Sequence, residues 1–130
     1  MKSVIRAAAV AAIATVSSGA YAAEMVTEEH FRLDTMKDLI LLCGVDAQDP
    51  NATAAIHMCH GFMIGLHHFH EALGRALEGT VFCVEDDARP TRDEAVAMLV
   101  TWSRNNPEHD SKEAVDGVLQ WASEAYPCPE

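Results

Sequence analysis

The sequence predicts an all-α domain, a compact four-helix array stapled by two disulfides. Three observations carry this. Apolar residues recur at spacings of three and four in four separate stretches. No stretch alternates apolar with polar residues as a half-buried strand does, and no hairpin turn joins two such runs. Four cysteines in a short chain with an export-type leader indicate paired thiols.

The elements follow in chain order. The segment 24–33 adds a first helical turn. Thr35-x-x-Asp38 has the form of a capping box and opens a helix through Met36, Leu39, Ile40 and Leu42 to about Cys43, where Gly44 breaks it. Asp46, Asp49, Pro50 and Asn51 mark a turn. A long helix then runs from about Ala52 to Glu78, with Cys59, Phe62, Leu66, Phe69, Leu73 and Leu77 as its expected buried stripe. The link 79–90 holds Cys83, the acidic run Glu85-Asp86-Asp87 and Pro90. Thr91-x-x-Glu94 caps a third helix carrying Ala95, Val96, Leu99, Val100 and Trp102, and Asn105-Asn106-Pro107 ends it. Asp110-x-x-Glu113 is expected to cap a fourth, whose buried face is Val115, Val118, Leu119, Ala122 and Tyr126 up to Pro127.

Consecutive helices joined by short links pack as antiparallel neighbours. That geometry brings Cys43 near Cys59 at one pole and Cys83 near Cys128 at the other. A zinc site is the competing use of four cysteines, but no Cys-x-x-Cys pair occurs.

Lys2 and Arg6 precede the apolar run Ala7–Val16, and Ala20-Tyr21-Ala22 offers small residues for cleavage, so residues 1–22 read as a secretory signal peptide. The remaining single domain, 23–130, is then a periplasmic protein with no membrane anchor. The chain carries a net charge of −11, with 20 acidic residues against 9 basic ones, which repels phosphate backbones and argues against nucleic-acid binding. Such a surface suits a basic protein partner.

No Gly-x-Ser-x-Gly elbow, phosphate loop or His-Glu-x-x-His pair is present, so no catalytic set and no cofactor is expected. Five histidines, His57, His60, His67, His68 and His70, crowd fourteen residues of the long helix. At 100° per residue they point to about 220°, 160°, 140°, 240° and 80° relative to Phe62, too dispersed for convergent ligands. No metal is expected there, and His67, His70 and Glu71 are the first candidates should one bind. Gly61 and Gly65 inside the same helix each cost about 1 kcal/mol against alanine, which points to a close approach by another helix, internal or from a second copy.

Several of these residues fall in a familiar order. Asp38-Leu39-Ile40 before Cys43, Cys59-His60-Gly61-Phe62-Met63-Ile64-Gly65, Phe82-Cys83-Val84, the stretch Val100 to Pro107, and Ala125-Tyr126-Pro127-Cys128 resemble the Rap/Tai family of type VI secretion immunity proteins, from about residue 35 to 128. The resemblance implies a small, all-helical periplasmic protein, often homodimeric, that binds and blocks a peptidoglycan-cleaving amidase. Two features depart from the pattern: Val84-Glu85 stands where a proline is frequent, and the histidine cluster is not part of it. No effector contact transfers by motif. On charge and exposure the candidates are Asp46 and Asp49 in loop 44–51, Glu85, Asp86 and Asp87 in loop 83–90, the turn 105–110, and Trp121 as an apolar anchor. The alternative is a periplasmic acid-stress chaperone of the HdeA type, or a metal-handling protein using the histidine-rich helix.

Overall fold

The computed structural model describes residues 24–77 and 79–129, in which four α-helices and three short 3-10 turns occur and no strand. The expected leader and its cleavage site lie outside the described residues.

Helix α1 (Met36–Cys43) begins where the sequence places it. Thr35 Oγ1 accepts the Asp38 N–H at 3.2 Å while the Asp38 carboxylate accepts the Thr35 N–H at 2.8 Å, satisfying donors that the first turn leaves over. Two further donors are met from outside: Met36 N–H donates to Lys112 O at 2.8 Å and Lys37 N–H to Asp110 O at 3.0 Å. An isolated helix of this length is not stable in water. Here it is the hub, with Met36, Leu39 and Leu42 fully buried and contacts to all three other helices. Ahead of it, the 3-10 turn Glu28–Arg32 is the helical turn expected in 24–33.

Helix α2 (Ala52–Leu77) has 26 residues, or about 39 Å, whereas α1 and α3 span only about 12 and 21 Å. Its neighbours therefore run out before it does. Ala55 and Cys59 are buried and Phe62, Met63 and Leu66 partly so. The expected stripe then fails, because Phe69, Leu73 and Leu77 are 63%, 40% and 68% exposed and His70 takes the inward position instead.

Helix α3 (Arg92–Asn105) carries the expected capping box, with Glu94 accepting the Thr91 N–H at 2.8 Å, and buries Val96, Leu99 and Val100. Helix α4 (Ala114–Ala125) corrects two expectations. Asp110-x-x-Glu113 does not cap it: residues 110–112 form a turn after the 3-10 turn Pro107–His109, Glu113 is the N-cap without a side-chain bond, and the Asp110 carbonyl serves α1. Its buried face is also rotated, to Ala114, Gly117, Val118, Trp121 and Ala122. The cause is Gly117, whose bare backbone lets Met36 approach.

Both disulfides pair as the helix order requires. Cys43–Cys59 has Cα atoms 5.1 Å apart and Cys83–Cys128 4.8 Å. Loop entropy gives roughly 3 kcal/mol for the first closure and about 4 for the second, a large share of the stability of one small domain.

Candidate interaction surface

After α2 the chain turns back along it. A Cβ on Gly74 would meet Thr80 Cγ2 at 2.6 Å, so the absent side chain seats Thr80. One turn earlier, His70 Nε2 accepts the Val81 N–H at 3.1 Å, and its ring stacks on Phe82 with centroids 3.8 Å apart. Cys83 N–H donates to Tyr126 O at 2.8 Å beside the Cys83–Cys128 disulfide, joining the link to the end of α4.

Between this link and the helices lies a cleft of about 210 Å³, walled by Met63, Leu66, Phe82, Val84, Trp121 and Tyr126. It exceeds the roughly 150 Å³ of a dry cavity that takes up benzene, and so has room for one large apolar side chain. The exposed Arg89 and Arg92 also line it. Next to it, Glu85, Asp86 and Asp87 are all exposed around the 3-10 turn Asp86–Ala88. Arg89 pairs with Asp86 at 3.3 Å and lies 3.9 Å from Glu71. Tyr126, whose phenol is pushed up by burial and by the nearby Glu94 charge, stays neutral and points its hydroxyl at Met98 Sδ, 3.7 Å away.

The other sequence candidates divide. Asp46 is exposed, its carboxylate accepting the Gln48 N–H at 2.8 Å. Asp49 is half-buried and occupied: it accepts the Val26 N–H at 2.8 Å and the Asn51 N–H at 2.7 Å, fixing the N-terminal segment to this loop. Trp121 is 5% exposed and sits within the buried face, reaching the surface at the cleft wall and at a shallow groove with Met98 and Trp102. At the turn 105–110, His109 stacks on Trp102 with centroids 5.0 Å apart. Trp102 Nε1–H donates to Glu124 at 2.8 Å, and the bond from Gln120 first, then this one, hold the Glu124 carboxyl below its ordinary range.

Gly61 and Gly65 are not packing sites within this chain: a Cβ at either would meet nothing within 4 Å. The close approaches fall at Gly74 and Gly117, which the sequence did not single out because any helical glycine carries the same signal. Of the histidines, His60 Nε2 lies 3.4 Å from Asp93 Oδ1 and His67 Nε2 lies 3.4 Å from Glu71, while His57 and His68 are exposed. No three histidine, cysteine, aspartate or glutamate side chains converge on a metal position among the described residues. No helix there is long and apolar enough to cross a membrane.

The described surface thus offers an apolar socket beside an acidic turn, on a disulfide-fixed frame. No curated protein and no solved structure matches this chain. A family model for Rap1a immunity proteins matches residues 35–128, across α1 to α4 and all four cysteines. The chain belongs to the Rap1a immunity protein family, whose function is immunity against a secreted protein effector.

Proposed function

We propose that this protein binds and inhibits a peptidoglycan-cleaving amidase delivered by a type VI secretion system, acting in the periplasm as a homodimer. Membership of the Rap1a family carries the reading. The signal-peptide pattern of residues 1–22 supports export. Inhibition requires no chemistry of its own, only occupation of the groove in which the amidase holds its substrate.

The 83–90 turn and the adjoining cleft supply the contact. The cleft takes one apolar side chain of the amidase as an anchor, and Glu85, Asp86 and Asp87 meet cationic groups around it. Two disulfides limit how much of the chain must be ordered on binding. The second copy seats on the face of α2 where Gly61 and Gly65 are open and Met58 and Phe69 are exposed. This helix carries only two formally charged side chains, Glu71 and Arg75, in a protein of net charge −11, so copies meet there with least repulsion.

Co-expression in the periplasm with amidase effectors of the same genome tests this. Lysis is expected to be suppressed with the cognate effector and restored when Glu85, Asp86 and Asp87 are replaced together by Gln, Asn and Asn, which leaves Cys83 and its disulfide in place. Lysis unaffected by the intact protein with every such effector overturns the reading.

A further inference from the structure

His70 is a titratable side chain at the core, 9% exposed, on a helix whose other histidines lie at the surface or half-buried. Its Nε2 accepts from the Val81 N–H at 3.1 Å and the Phe82 N–H at 3.4 Å. Accepting both requires a bare Nε2, that is, a neutral imidazole with its proton on Nδ1. A proton on Nε2 makes it a third donor facing two others in a site with little water, which costs both bonds and the desolvation of a charge. Besides the ring, Thr80 packs against Gly74 at the helix end, and its Oγ1 lies 3.3 Å from Cys83 Sγ and 3.4 Å from Cys128 Sγ.

We propose that His70 is a proton-operated latch: protonation of its Nε2 releases Val81 and Phe82 from α2 and opens the apolar cleft that Phe82 walls. The opening is local. Cys83 remains bonded to Cys128 and, through its N–H, to Tyr126 O. Val81 and Phe82 therefore move between two points tied to the disulfide, Thr80 and Cys83, while α1 and α3 keep their packing. Released, Phe82 exposes a ring that is 8% exposed when latched, next to Leu66 and Met63.

The groups around the ring set the direction of the response. Burial lowers the pKa of His70 most, His67 lowers it further, and Glu71 opposes them. From the link, Arg89 lies 3.5 Å from His67 and 3.9 Å from Glu71. Segment 80–84 carries no ionisable side chain besides the disulfide-bonded Cys83, and Tyr126 behind it turns its hydroxyl to Met98. The latched pKa thus lies below the ordinary value of about 6.5. The stabilisation from the latch is complete above that ordinary value and is lost as the pH falls from it toward the latched value.

Amide exchange followed by NMR between about pH 7.5 and pH 4.5 tests the latch, with the His70 Cε1–H shift reporting its titration. Protection of the Val81 and Phe82 amides is expected to hold above about pH 6.5 and to fall below it, by up to about tenfold per pH unit until the latched pKa is passed, while Leu39 and Leu99 keep theirs. In His70→Gln, whose side-chain oxygen accepts without titrating, protection of the same two amides should not change with pH. Three results overturn the proposal: Val81 and Phe82 protection constant through the His70 titration, loss shared equally with Leu39 and Leu99, or the same pH dependence in His70→Gln. The wild-type titration decides the matter by itself if the variant does not fold.

Discussion

Met36 Sδ occupies the space that a side chain on Gly117 would need: a Cβ there would lie 2.6 Å from the sulfur and 2.8 Å from Met36 Cγ. Met36 is fully buried and has no solvent to retreat into. This contact sets the distance between α1 and α4 and turns the face of α4 that points inward.

Gly117→Ala gains up to about 1 kcal/mol of helix propensity and loses about 1–3 to overpacking. The clash wins, and denaturant unfolding is expected to show a net loss of about 1–2 kcal/mol. Met36→Ala alone should cost about 2–5 kcal/mol through its cavity. Combined with Gly117→Ala it should cost at least about 0.5 kcal/mol less than the sum, since the new methyl fills space the methionine leaves. Strict additivity would show that the two residues do not share that space.

Gly61→Ala and Gly65→Ala are expected to act oppositely, each raising the stability of the monomer by about 0.5–1 kcal/mol, because a Cβ at either meets nothing within 4 Å. For the homodimer proposed above, Gly65→Leu should leave the helical circular dichroism intact and shift sedimentation from dimer to monomer. A dimer undisturbed by it places the interface elsewhere.

The two disulfides differ in access. Cys59 is fully buried and Cys43 7% exposed, whereas Cys83 and Cys128 are half-buried. Mild reductant followed by alkylation and mass spectrometry should label Cys83 and Cys128 first. Equal labelling of all four thiols from the outset would mean that the protein opens as one unit.

Asp49 and Asp46 look alike in the sequence and should not behave alike. Asp49→Ala removes two charge-assisted bonds, one of them to Val26 across 23 positions, and is expected to cost about 1.5–3 kcal/mol and to raise proteolysis near residues 24–27. Asp46→Ala, at an exposed site, should cost less than about 1 kcal/mol.

The fold was legible because its signals are local. Thr35 with Asp38, Thr91 with Glu94 and the breaker Gly44 are each decided within one turn, and the four cysteines pair in the one way that the helix order allows. What escaped the sequence depends on neighbours. Phe69, Leu73 and Leu77 keep helical period whether or not a partner covers them, and only the lengths of α1 and α3 show that none does. Asp110 and Glu113 make a sound capping pattern that loses to a turn whose carbonyls feed Met36 and Lys37. His70 reads as one of five histidines, and only its burial against Val81 and Phe82 sets it apart. Of the candidate contacts, the Glu85–Asp87 turn was visible as a charge run, while the cleft beside it arises from five separate stretches of chain and leaves no linear trace.

The sharpest test of amidase inhibition titrates the purified, oxidised protein into a type VI amidase effector of the same genome while peptidoglycan hydrolysis is followed. An inhibitor that occupies the substrate groove abolishes hydrolysis near equimolar ratio, and the loss is relieved when Glu85, Asp86 and Asp87 are replaced together by Gln, Asn and Asn, with both disulfides kept. Hydrolysis that continues undiminished at large excess, for every such amidase the genome encodes, would contradict it.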